Sequence, residues 1–108
     1  MKSGITASAI TKYAQIRLNV MGYYVWRNNN LAVPGRKFIG ERGVPDIIGF
    51  HKLTGQAVYC EVKTVNDKIS EYQTNFMNRA TAAGCCCILA HEINGEVKLD
   101  YWNPEPKL

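Results

Sequence analysis

Two carboxylates and an ammonium stand out in the stretch from Gly43 to Lys63, G-V-P-D-I-I-G-F-H-K-L-T-G-Q-A-V-Y-C-E-V-K. Asp46 opens one apolar, strand-like run, Pro45 to Phe50, and Glu61 and Lys63 close a second, Ala57 to Lys63. Side chains alternate along a strand, so Tyr59, Glu61 and Lys63 share one face while Val58, Cys60 and Val62 share the other. The first face is expected to be chemical and the second to be core. If the runs pair as a hairpin through Lys52-Leu53-Thr54-Gly55, Asp46 comes beside Glu61. Two carboxylates and one ammonium at a point suit a hard divalent cation, because Mg²⁺ takes oxygen ligands and keeps waters at its other positions.

The elements that must position these groups can be read in chain order. Residues from about Thr6 to Met21 have helical periodicity, with Ile10, Tyr13, Ala14, Leu18 and Met21 on the inner side and Gly22 as the stop. Arg17 falls on that side and is expected to snorkel to water. Tyr23 to Trp26 is a short β-rich run. The segment from Leu31 to Val44 is aperiodic, broken by Pro34-Gly35, Gly40 and Gly43, and is expected to be a loop that contacts substrate. Trp26 beside it fits either core filling or stacking on an unpaired base.

After Lys63 a polar connection leads to a second helix whose stripe is Ile69, Tyr72, Phe76, Met77 and Ala80. Ser70 and Gln73 fit an S-x-x-Q capping box, yet Gln73 also falls on the inward stripe. Cys85 to Ala90 is a continuous apolar run, the pattern of a strand buried on both faces. Strand, helix and strand imply a right-handed crossover and a parallel pair. His91 to Ile93 and Glu96 to Leu99 flank Asn94-Gly95, a hairpin-turn signal. His91 is expected at the surface or the sheet end, and Asn103 to Pro106 as a tail.

At 108 residues the chain is expected to be one domain, 1–108, of α/β class with four or five strands in a mixed sheet. No stretch approaches the ~20 apolar residues of a membrane span, and the N-terminus has no signal-peptide core. A cytoplasmic protein is expected, in the host cytoplasm if its origin is viral. Three of the four cysteines are consecutive and none is in a C-x-x-C pattern, so core packing of free thiols is expected rather than a zinc site. The net charge of +4 favours polyanions, and its distribution points the same way: Arg27, Arg36, Lys37 and Arg42 all lie between the first helix and Asp46. A basic loop beside an acidic metal site is the arrangement expected for a phosphate backbone.

Together these residues resemble the VRR-NUC (virus-type replication-repair nuclease) branch of the PD-(D/E)XK nucleases in its small stand-alone form. The resemblance is carried by Gly22 to Asn29, Gly43-Val44-Pro45-Asp46, Glu61-Val62-Lys63-Thr64 and Lys68-Ile69-Ser70-Glu71-Tyr72-Gln73, and it covers roughly residues 5 to 90. It implies a restriction-endonuclease-like mixed β-sheet flanked by α-helices. It also implies a Mg²⁺- or Mn²⁺-dependent DNA endonuclease, acting at branched DNA such as four-way (Holliday) junctions as a homodimer. Asp46, Glu61 and the Val62 carbonyl would hold the metal, with Lys63 and Gln73 as further catalytic residues. Arg27, Arg36, Lys37, Arg42 and Lys68 would bind the nucleic acid. In one place the chain departs from the family. Members usually carry a Glu early in the first helix, whereas no Asp or Glu precedes Glu41 here and that region reads Ala7-Ser8-Ala9. The site is then one carboxylate short, which implies weak or metal-hungry activity. The alternatives from other classes are a binding protein that keeps the fold with weakened chemistry, and a redox or metal-storage protein built on the cysteine triplet.

Overall fold

The computed structural model describes residues 4–28 and 40–102. The chain runs α1 (Ala7–Val20), β1 (Tyr23–Arg27), β2 (Ile47–His51), β3 (Ala57–Lys63), α2 (Glu71–Ala82), β4 (Cys86–Ile93) and β5 (Glu96–Tyr101). The strands form one sheet in the order β1-β2-β3-β4-β5. Every pairing is antiparallel except β3 with β4, which is parallel. A parallel pair needs a crossover, and α2 supplies it. The expected mixed sheet is therefore present, with one helix on each face. Among the described residues no helix is long and apolar enough to cross a membrane.

Thr6 caps α1, its hydroxyl accepting the Ala9 N–H at 3.1 Å. Ile10, Ala14 and Leu18, spaced by four, are fully buried against Tyr23, Val58, Cys60, Val62 and Ile88 in the main core. Tyr13, expected on the inner side, is instead exposed. The buried residues of α1 also include Thr11, so the inner arc is centred between positions 10 and 11. At ~100° per residue Tyr13 lies about 110° from that centre. With Ile16 and Val20 it forms a second, outward apolar stripe. Arg17 is exposed, as a snorkelling side chain should be.

On the opposite face α2 covers β3 and β4 through Met77, Ala80 and Phe76, which pack on Tyr59, Cys87 and Trp102. Ile69 and Tyr72, also expected on the inward stripe, are exposed, because Ile69 precedes the helix and the packed arc is only Gln73, Phe76, Met77 and Ala80 wide. The Trp102 indole N–H donates to Asn78 Oδ1 at 2.7 Å and ties the end of β5 to α2. All four cysteines are free thiols, and Cys60, Cys86 and Cys87 are buried. The β4–β5 turn takes φ 52° at Asn94 and 82° at Gly95, as the sequence requires of a two-residue hairpin. His91 lies on the sheet, its Nε2 2.6 Å from Asp100 Oδ2. The expected tail from Asn103 lies outside the described residues, as does the loop's basic core.

β1 and β2 approach each other closely at Gly49. A Cβ there would strike the Tyr24 carbonyl oxygen and stand 2.8 Å from Val25 Cα, both of them backbone atoms that cannot turn aside. Gly49→Ala is expected to destabilise the protein by about 1–3 kcal/mol, the usual cost of overpacking, measured by urea unfolding. An unchanged midpoint would contradict the register of β1.

Candidate active site

The site begins with strand register. Ile47 lies opposite Cys60, so the preceding residue, Asp46, comes beside Glu61. Asp46 is pinned at both ends of the residue. Its Oδ2 accepts the Val62 N–H at 3.0 Å, and its carbonyl accepts the Asn28 N–H at 2.7 Å. The approach to Asp46 is fixed at Gly43, whose φ is +84° and where a Cβ would collide with the Tyr72 carbonyl and stand 2.9 Å from the Gln73 N. Only glycine fits such a position, and the contact docks the turn before Asp46 onto the first turn of α2.

The face bearing Tyr59, Glu61 and Lys63 is not the open chemical face that alternation suggests. α2 lies over it, and Glu61 is only 3% exposed. Its two oxygens have different surroundings. Oε2 accepts from Gln73 Nε2 at 2.9 Å and stands 3.8 Å from Lys63 Nζ. Oε1 is buried with no hydrogen-bond partner. Burial, reinforced by the like charge of the Asp46 carboxylate, pushes the Glu61 carboxyl up to about 8; Lys63 opposes this incompletely.

Gln73 closes the capping box and reaches Glu61 with one amide. Its Oε1 accepts the Ser70 N–H at 2.8 Å and its backbone N–H donates to Ser70 Oγ at 3.1 Å, which completes the capping box. Its Nε2 is thereby left to donate to Glu61. Lys63 Nζ donates to the Lys68 carbonyl at 3.0 Å, so the connection into α2 aims the ammonium back at Glu61.

Asp46, Glu61, Val62, Lys63, Gln73 and Arg27 all line one cleft of about 330 Å³. Arg42 does not join them. It lies along the neighbouring flank of α2, with its guanidinium 5.4 Å from the Tyr72 ring centre. Lys68 is exposed in the connection before α2. Arg36 and Lys37 lie outside the described residues. Sequence reasoning missed three residues of the cleft wall, Ser8, Thr11 and Asp67. Asp67 closes a turn with Thr64, accepting from its N–H and its hydroxyl at 2.9 Å each, and these bonds hold its carboxyl below the ordinary value. The T-x-x-D spacing was the available signal. Ser8 and Thr11 reach the cleft because the first turn of α1 ends there, at the place where the sequence lacks an acidic residue.

Among the described residues no group of three or more His, Cys, Asp or Glu side chains gathers as metal ligands. The donors on hand are two carboxylates, one with an orphaned buried oxygen, and the nearby Val62 carbonyl. That set fits one hard cation that keeps several waters; it does not fit a protein-caged pair.

A mixed sheet that carries paired carboxylates and a lysine at the ends of two adjacent strands, with a helix over each face, defines the restriction-endonuclease-like fold. The Holliday junction resolvase Hjc of the archaeal hyperthermophile Archaeoglobus fulgidus shares it, with a TM-score of 0.58 at 14% identity over 88% of this chain and 74% of that one. A solved structure described as a VRR_NUC domain aligns with a TM-score of 0.52 at 25% identity, over 79% of this chain and 84% of that one. The family description "VRR-NUC domain" matches residues 37–91, half of the chain, and the chain belongs to that family of nuclease domains. No curated protein matches the sequence.

The Glu61 environment makes a pH prediction. Its folded pKa of about 8 lies above its ordinary value of 4.5. The stabilisation from protonated Glu61 is therefore fully present below the ordinary value and is lost as pH rises through about 8. The metal-free protein is expected to melt at progressively lower temperature between about pH 5 and about pH 9, and Glu61→Gln to flatten that fall. Calorimetric melting across this range is the measurement, and equal slopes in the two proteins would contradict the raised pKa.

Proposed function

We propose that the chain is a Mg²⁺- or Mn²⁺-dependent, structure-selective DNA endonuclease that hydrolyses phosphodiester bonds at four-way junctions, acting as a homodimer. The observation that carries this reading is Glu61 itself: a buried carboxylate with one oxygen fixed by Gln73 and the other unpartnered beside Asp46. Leaving a buried carboxylate oxygen without a partner costs several kcal/mol, and a cation would relieve it. Asp46 and Glu61 hold the cation, with the Val62 carbonyl as third oxygen. When bound, the cation supplies a water of lowered pKa and neutralises charge developing on the phosphate.

The chain's own residues do the rest. Gln73 holds the Glu61 carboxylate in one orientation. Lys63, aimed by the Lys68 carbonyl, steadies the attacking water or an equatorial phosphate oxygen as a point charge. Arg27, on the cleft wall, receives the phosphate backbone, and Arg36, Lys37, Arg42 and Lys68 extend that contact. A binding protein with weakened chemistry gains nothing from two carboxylates facing phosphates, which disfavours that reading.

The junction substrate is taken from the neighbour that is a Holliday junction resolvase. Two copies about a two-fold axis suit a substrate that itself has two-fold symmetry, each copy nicking one strand. The outward stripe of Tyr13, Ile16 and Val20 on α1, together with β1 as an edge strand among the described residues, is a surface available for pairing.

Asp46→Ala and Glu61→Ala are expected to abolish cleavage of a four-way junction in Mn²⁺ while leaving junction affinity equal or higher, since negative charge is removed. Lys63→Ala is expected to lose about 10²–10³-fold in rate. Arg27→Ala and Arg42→Ala should each lower the slope of log affinity against log salt by about one. Gel assays with junction, flap, single-stranded and duplex DNA decide the matter. Undiminished cleavage by the Asp46 variant removes the site, a single nick confined to flaps removes the junction, and a monomer mass by light scattering removes the dimer.

A further inference from the structure

Among the described residues, one half of the α2-side sheet face is left open, and its surface is aromatic. Tyr24 and Trp26 on β1 and Phe50 on β2 are 55%, 43% and 43% exposed. Their rings form a contiguous cluster, with centroid separations of 5.8 Å for Tyr24–Trp26, 5.5 Å for Tyr24–Phe50 and 6.3 Å for Trp26–Phe50. Register puts them on the face of the carboxylates. Trp26 is opposite Ile48 and Ile48 opposite Tyr59, so all share the side that carries Glu61. Ile48 is two residues from Asp46, a step of about 7 Å along a strand. Three exposed rings in contact thus begin one same-face step along and one strand across from Asp46.

We propose that this cluster is a stacking platform for unpaired bases of the strand being cut, so that the nuclease selects DNA in which bases beside the scissile phosphate are splayed out. The inference rests on the nuclease reading of the same sheet face. Three observations name nucleic acid as the occupant. The rings adjoin the cleft, since they share the sheet face of Asp46 and Glu61, which line it. The sequence carries a net charge of +4, which complements a polyanion. Finally, the rings sit on rigid paired strands, where exposed aromatic faces accept bases of any sequence. A backbone held at the Asp46–Glu61 end of this face would bring its bases over Trp26, and Tyr24 and Phe50 extend the surface away from the site. Selection would thus favour branch points, where bases are easily unstacked, over continuous duplex.

The protein has two tryptophans, and Trp102 is tied to Asn78 beneath α2. An Asp46→Ala, Trp102→Phe protein therefore reports on Trp26 alone and does not degrade its ligand. Titration with a short oligothymidylate is expected to quench that fluorescence, and an abasic strand of the same length is not. In the Asp46→Ala background, measured by anisotropy of a labelled strand, Trp26→Leu should weaken oligothymidylate binding about 5- to 150-fold, the range expected for one stacked base. Trp26→Phe, which keeps a π-face, should recover most of the loss, and Phe50→Leu should show a smaller loss with an unchanged melting temperature. Equal affinity of Trp26→Leu and its parent, or equal quenching by the abasic strand, overturns the platform. A self-association that Trp26→Leu and Phe50→Leu abolish, with strand binding intact, assigns the face to a second copy and also overturns it. Cleavage by the unmutated protein is a separate readout, so the platform can fail while the nuclease stands, and the reverse.

Discussion

The structure depends on keeping one carboxylate out of water. Glu61 sits in the middle of the sheet under α2, where an ionised group without partners would cost several kcal/mol. Two of the groups around it lower that cost and one raises it. Asp46, just before β2 and held by the Val62 amide, adds a like charge. α2 supplies one amide donor, and β3 supplies Lys63 two residues on. The remaining oxygen has no protein partner. A sheet that needed only stability would place a valine here, so packing alone does not account for Glu61.

The same constraint explains where the chain accepts no side chain. Glu61 can be reached by Asp46 only if the turn before β2 comes down onto α2, and by Gln73 only if α2 starts at that height. Gly43 is the point where both conditions meet, its Cα lying against the Tyr72 carbonyl and the Gln73 amide. The capping box then settles the rotamer of Gln73, because an amide whose oxygen is committed to Ser70 can turn only its nitrogen toward Glu61. Helix initiation and active-site geometry are in this way one set of hydrogen bonds. Loosening the cap disturbs the carboxylate before it unfolds the helix.

Much of this was legible in the sequence, and the exceptions have physical causes. Period-two alternation and the Lys52–Gly55 turn gave the β2–β3 hairpin and placed Asp46 beside Glu61. The S-x-x-Q spacing gave the start of α2, and Asn94-Gly95 gave the β4–β5 turn. Alternation could not say that the Glu61 face is covered, because which strands α2 lies over is a tertiary outcome. Tyr13 and Tyr72 were read as inward for a related reason: an apolar residue at the margin of a helical stripe looks the same in sequence whether or not a partner stands opposite. Ser8 and Thr11 carry no motif of their own and enter the cleft only through the placement of α1, while Asp67 carried only the T-x-x-D spacing of the Thr64 turn.

The two helices cover the sheet unequally, and that inequality divides its labour. α1, at 14 residues, packs across β1, β3, β4 and β5 on one face. α2 has 12 residues and lies against β4 on the other. Five strands spaced ~4.8 Å apart are wider than the ~10 Å diameter of one helix, so a single short helix leaves part of its face open. Because α2 must start at Glu61 to hold it, the uncovered part falls on β1 and β2, beside Asp46. An exposed aromatic surface there is therefore a consequence of burying the carboxylate under the helix start. The packing that makes the site also leaves, among the described residues, an open sheet face beside it.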